Sequence, residues 1–97
     1  MVTLYGYQFN GPYDIDSGFK EVPGIYIIYT SFARFLDVGS TDALGSRITE
    51  HDRKSCWAKN ANGSPIYLAF MRVDDGQKRL AIESYLRDKL NPTCGEK

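Results

Sequence analysis

No surplus of either charge marks this chain: its 97 residues hold 12 Lys and Arg against 12 Asp and Glu. The strongly basic balance that signals an electrostatic grip on nucleic acid is therefore missing as a global property. No apolar run approaches the roughly 18 residues that suggest a membrane-spanning helix, so no membrane partner is expected. Residues 1–6 lack a basic segment followed by a greasy one, so no secretory signal is expected either. Two cysteines make a poor disulfide framework, and the expected compartment is the cytoplasm. A single histidine, His51, excludes a histidine-based metal cage. There is no glycine loop to cradle a nucleotide phosphate and no nucleophile elbow.

What is present is ordinary globular composition, 42% apolar and 25% charged, with 13% aromatics. The length fits one domain spanning residues 1–97. The neutral balance hides an asymmetry. Residues 1–43 hold two basic side chains against five acidic ones, and residues 44–97 hold ten against seven. A local basic patch can therefore come from the second half.

Gly24-Ile25-Tyr26-Ile27-Ile28-Tyr29-Thr30 is rich in β-branched and aromatic residues and reads as a strand. Ser31-Phe32-Ala33 reads as a tight connection to a second strand, Arg34-Phe35-Leu36-Asp37-Val38, stopped by Gly39. Thr41 or Asp42 can cap a helix running to about residue 56, with Leu44, Ile48 and a point near His51 on one stripe. Residues 66–73 form a third strand, apolar enough to be central. Asp74-Asp75-Gly76 turns the chain into a helix over about 77–90, where Ile82, Leu86 and Leu90 recur every four residues and Pro92 ends the run. Residues 1–22 look irregular: residues 4–9 suggest a short strand, Asn10-Gly11-Pro12 a turn, and 13–23 a loop. The order strand, strand, helix, strand, helix predicts an α+β fold. Its small mixed sheet would be three-stranded, or four-stranded if residues 4–9 join it, with flanking helices over a core of about 23–95.

Singly, the polar residues have bland readings. Arg47 and His51 lie four apart and share a solvated helix face, and Glu83 sits four from both Arg79 and Arg87 as in a surface ion-pair ladder. Cys56 and Cys94 read as small core residues, or as weak zinc candidates together with His51. Trp57 and Tyr85 pack, or stack on a base.

As a set, the spacing says more. Gly24-Ile25-Tyr26 opens a strand, Leu36-Asp37-Val38-Gly39 follows a dozen residues later, and Arg47, His51 and Glu83 come beyond. This resembles the GIY-YIG nuclease family, over residues 23–95. The stretches around Cys56-Trp57 and Pro92-Thr93-Cys94-Gly95 are similar to short stand-alone relatives of that family. The resemblance implies a GIY-YIG endonuclease-like fold and a hydrolase that cuts DNA phosphodiesters with Mg²⁺ or Mn²⁺. Tyr26 would position or deprotonate the attacking water. Arg47 would donate its planar fork to phosphate oxygens. Glu83 would hold the metal, and His51 would donate to a phosphate or orient the tyrosine. The basic stretch Arg47, Arg53 and Lys54 would face nucleic acid, with a partner protein supplying specificity.

The second motif diverges. Asp37 stands where the family has tyrosine, and it could act as a base, serve as a second metal ligand or repel the substrate. Gly95 stands where relatives have asparagine, and Ser40 where some have lysine. A catalytically inactive nucleic-acid-binding or protein-interaction domain is the alternative expectation.

Overall fold

The computed structural model describes residues 1–30 and 34–95. The connection expected at residues 31–33 lies outside the described residues. The elements run β1 (Val2–Leu4), β2 (Tyr7–Asp14), β3 (Gly24–Tyr29), β4 (Phe35–Thr41), α1 (Leu44–Thr49), α2 (Lys54–Ala61), β5 (Tyr67–Arg72) and α3 (Gly76–Leu90). They build an α+β fold around one five-stranded sheet of order β1-β2-β5-β3-β4. Every neighbouring pair is antiparallel, which corrects the expected three- or four-stranded mixed sheet. The helical connection after β4 skips over β3 and delivers β5 to its far side. The two strands that this crossover makes parallel are therefore never neighbours.

The irregular N-terminal extension is instead a hairpin added to the sheet. Its reversal lies at Tyr5 and Gly6, both at positive φ (49° and 86°), as a two-residue hairpin loop demands. Asn10-Gly11-Pro12 does not reverse the chain. It forms a bulge within β2, where the register against β5 shifts between Asn10 and Tyr13. Proline cannot donate to the ladder, and a bulge is where a strand tolerates it. Gly39 does not stop β4 either, since it pairs with Tyr26 in mid-ladder.

The sheet carries apolar side chains on both faces. Tyr26, Ile28, Leu36, Leu68 and Phe70 pack with Leu44, Ile48 and Trp57 from α1 and α2. Ile25, Ile27, Val38, Ala69 and Phe9 pack with Leu86 and its neighbours on α3. Burial on both sides explains why β3 reads as a continuous apolar run rather than an alternation.

The single helix expected to about residue 56 is two. Glu50 ends α1 and Arg53 caps α2. Between them His51 turns inward, 5% exposed, and its Nδ1 accepts the Arg53 backbone N–H at 3.1 Å. Neither Thr41 nor Asp42 is the N-cap of α1. Its orphan donors are met from outside: Val22 O and Lys20 O accept the N–H groups of Leu44 and Gly45 at 3.0 and 3.2 Å, and Glu21 accepts that of Ser46 at 2.5 Å. Helix α3 is as expected: the Asp75 carboxylate accepts the N–H groups of Gln77 and Lys78 at 2.9 and 3.0 Å.

After α3 the chain runs along the outer edge of β4, with Thr93 N–H on Phe35 O (3.1 Å) and Cys94 N–H on Leu36 O (2.7 Å). This strap covers a sheet edge that would otherwise present unpaired backbone. Cys94 is bonded to Cys56 of α2. The cysteines are thus neither free core thiols nor zinc ligands.

Candidate active site

The site grows from one cross-strand pair. Tyr26 on β3 faces Gly39 on β4, and its phenol lies over the glycine so closely that a Cβ there would overlap the ring. The absence of a side chain at residue 39 lets the ring lie across the sheet toward the break between α1 and α2. There the Tyr26 hydroxyl meets His51 Nε2 at 2.6 Å.

Two facts decide how that hydrogen bond is polarised. Burial, reinforced by Arg47 and Arg53, lowers the His51 pKa to about 4, so the imidazole is neutral at pH 7. Its Nδ1 already accepts the Arg53 N–H, so the proton of the neutral ring sits on Nε2. His51 therefore donates to the Tyr26 oxygen, and the phenol's own hydrogen is left for the cleft. Burial raises the Tyr26 pKa, with Arg47 opposing and Asp37 adding to the rise. Tyr26 is a phenol at neutral pH.

Asp37 lies beneath the cleft rather than on its wall. It is 0% exposed, and its carboxylate accepts from Arg53 Nε (2.7 Å) and an Arg53 terminal nitrogen (3.2 Å). It also accepts from Arg87 (2.7 Å), Trp57 Nε1 (2.9 Å) and the Val38 N–H (2.9 Å). One buried carboxylate thus orders two guanidiniums, an indole and a backbone amide. These contacts occupy both of its oxygens. It does not share a ligand site with Glu83, because Arg87 stands between them.

Glu83 on α3 is part-buried. One oxygen accepts from the Ser40 hydroxyl at 2.8 Å, and the other lies 3.4 Å from Arg87 Nε. Arg47 on α1 is about one-third exposed and pairs with Asp52 at 3.5 Å. Tyr26, Arg47 and Glu83, from β3, α1 and α3, line one cleft of about 560 Å³ with Gly39, Ser40, Asp52, Arg53, Arg87 and Gly95. His51 supports it from below. Lys54 is not on its wall and donates to Thr49 O at 3.0 Å. A larger open groove lined by Thr41, Gln77, Arg79 and Leu80 continues from the cleft, sharing Ser40 and Arg47.

Sequence reasoning missed Arg87, Ser40 and Asp52. The i,i+4 spacing does pair Arg87 with Glu83, but the arginine is 9% exposed rather than on a solvated ladder. Arg79 turns away to Val73 O and Asp74 O. The available signal was Asp37 itself: a carboxylate in an apolar strand needs cationic partners.

Among the described residues no three His, Cys, Asp or Glu side chains gather as a metal cage. The donor set still suits one kind of ion. Mg²⁺ is commonly held by one or two carboxylates together with waters and substrate phosphate oxygens. Glu83, with the Ser40 hydroxyl beside it, supplies such a carboxylate on the cleft wall. No family model matches the chain, and neither a curated protein nor a solved structure matches it.

Proposed function

We propose that this chain is a small GIY-YIG-type endonuclease that hydrolyses phosphodiester bonds in DNA with Mg²⁺ or Mn²⁺ at Glu83. The observation that carries the reading is the meeting of a phenol, a guanidinium and a carboxylate from three distant segments in one cleft. A divalent cation on Glu83 would supply charge neutralisation at the phosphorus and the leaving oxygen.

The remaining roles belong to the chain's own groups. Arg47 exchanges Asp52 for a phosphate oxygen when substrate enters. Arg53, aimed by Asp37 through its Nε and one terminal nitrogen, offers the other terminal nitrogen to a second oxygen. Tyr26 orients the attacking water through its cleft-side hydroxyl. The His51 Nε2–H stabilises any negative charge that develops on the phenol oxygen, and it cannot receive the phenol proton because Nε2 already carries one. Proton transfer at Tyr26 therefore takes place on the cleft side. The charges around the cleft nearly balance, so long duplex is gripped weakly. A partner protein supplying DNA affinity fits that balance.

One observation favours a second reading. The position where the family has its second tyrosine is occupied by a sealed, structural Asp37. A domain that binds DNA without turnover would show this.

Cleavage of supercoiled plasmid and short labelled DNA in Mg²⁺ or Mn²⁺ tests both. The nuclease reading expects nicks that disappear in Arg47→Ala and Glu83→Gln. Binding at low salt, weakened by Arg47→Ala and Arg53→Ala but without products, favours the second reading. Neither binding nor products would leave a protein-interaction domain.

A further inference from the structure

The disulfide joins two segments that shape the cleft. Cys56 lies in α2, just after His51 and Arg53. Cys94 lies in the strap, immediately before Gly95 on the cleft wall. Gly95 sits against both arginines: a Cβ there would come within 2.8 Å of Arg87 and 3.1 Å of Arg53. The bond thus holds a lid of backbone over the guanidiniums that Asp37 orders.

The two sulfurs are not equivalent. Cys94 is 1% exposed, whereas Cys56 is half-buried, so Cys56 is the residue of the pair that faces solvent. The Asn60 side-chain nitrogen donates one hydrogen to Cys56 O at 2.9 Å and, 3.4 Å from Cys56 Sγ and 3.7 Å from Cys94 Sγ, has its second for the sulfurs. An amide donor facing both sulfurs stabilises negative charge on the one that leaves. Access and leaving-group stabilisation are two of the properties that govern exchange rates.

We propose that Cys56–Cys94 is an exchange-active disulfide, a site for glutathione and for dithiol reductants, whose opening loosens the strap and with it Gly95 on the cleft wall. In the first step a reductant thiolate bonds to Cys56 Sγ. The Cys56–Cys94 bond breaks, and its electron pair leaves on Cys94 Sγ, which takes up a proton from water. With a dithiol, the second thiol then attacks the reductant sulfur bonded to Cys56 and frees the Cys56 thiol. The reductant becomes its own disulfide, and the protein gains two electrons and two protons. Once open, the strap is held only by the Thr93 and Cys94 backbone bonds to β4 and the 3.5 Å contact of Arg87 with Cys94 O, which open more often without the covalent tie to α2. This proposal rests on the nuclease reading only for its consequence at the cleft.

The test uses the full chain without DNA, so its failure is distinct from a failure of cleavage. Reduced glutathione is added and free thiols are trapped with iodoacetamide, then mapped by mass spectrometry. Glutathione on Cys56 with carbamidomethyl on Cys94 is expected, in at least about tenfold excess over the reverse. Asn60→Ala should slow the reaction several-fold. After reduction by dithiothreitol, amide exchange at Thr93 and Cys94 should accelerate at least tenfold while Tyr26 and Ile27 in β3 stay protected. Reverse labelling, no adduct, an unchanged rate at Thr93 and Cys94, or equal acceleration throughout the chain would each overturn the proposal.

Discussion

Acidification should destabilise this protein through His51 in a window set by its burial. The side chain is fully buried and its folded pKa is about 4, against 6.5 for an unperturbed imidazole. A depressed pKa means that below about pH 6.5 the unfolded chain binds a proton that the folded protein refuses. Stability is therefore whole above pH 6.5 and is lost as the pH falls toward 4. Linkage puts the loss at about 2 kcal/mol by pH 5 and about 3 kcal/mol by pH 4. Acid also acts on the chain's other titratable groups, so the measurement is a difference. Urea unfolding of the wild type and of His51→Gln, which cannot titrate, is followed from pH 7 to 4 by Trp57 fluorescence. The wild type should lose about 3 kcal/mol more than the variant. Nitrogen NMR of the imidazole should show the proton on Nε2 at pH 7 and titration well below 6. Parallel stability curves, or an imidazole titrating at 6.5 or above, would refute both the burial argument and the donor role assigned to Nε2.

Three further outcomes follow from the same geometry. Asp37→Ala strands the buried Arg87 guanidinium and the part-buried Arg53 and should cost about 3 kcal/mol by chemical denaturation, far more than a surface carboxylate; a loss below about 1 kcal/mol would remove its anchoring role. Gly39→Ala forces the Tyr26 ring aside and should destabilise by about 1–3 kcal/mol, with the His51 imidazole resonances shifting as the 2.6 Å contact is lost. Asp52→Asn frees Arg47 from an exposed, solvent-screened pair, so DNA should bind up to about fivefold more tightly at low salt; unchanged or weaker binding would separate Arg47 from the substrate.

Local chemistry accounts for the parts that could be read along the chain. Strand β3 declares itself because every residue in it is apolar or aromatic and both its faces are covered. Helix α3 declares itself because Asp75, the fourfold apolar repeat and Pro92 are start, body and stop within one short segment. The placement of β5 inside the sheet follows from the same apolar density. Tyr26, Arg47 and Glu83 are legible as a group only because their spacing resembles the GIY-YIG pattern; composition and periodicity leave each of them with a bland reading.

Other features depend on partners far away in the chain and leave no local trace. The break between α1 and α2 contains neither proline nor glycine. There His51 turns into the core, where its Nε2–H donates to the hydroxyl oxygen of Tyr26, 25 residues earlier. The N-terminal hairpin becomes sheet only because β5 presents an edge for β2. Asp37 changes from a candidate ligand to a buried anchor because Arg53 and Arg87, 16 and 50 residues away, arrive from opposite faces of the sheet. Cys56 and Cys94, 38 residues apart, bond because the strap follows the β4 edge back to α2. Periodicity and turn chemistry act over a few residues and so are written in the amino-acid order. The burial of a charge, the bending of a helix and the pairing of two sulfurs are settled only when distant segments exclude water together.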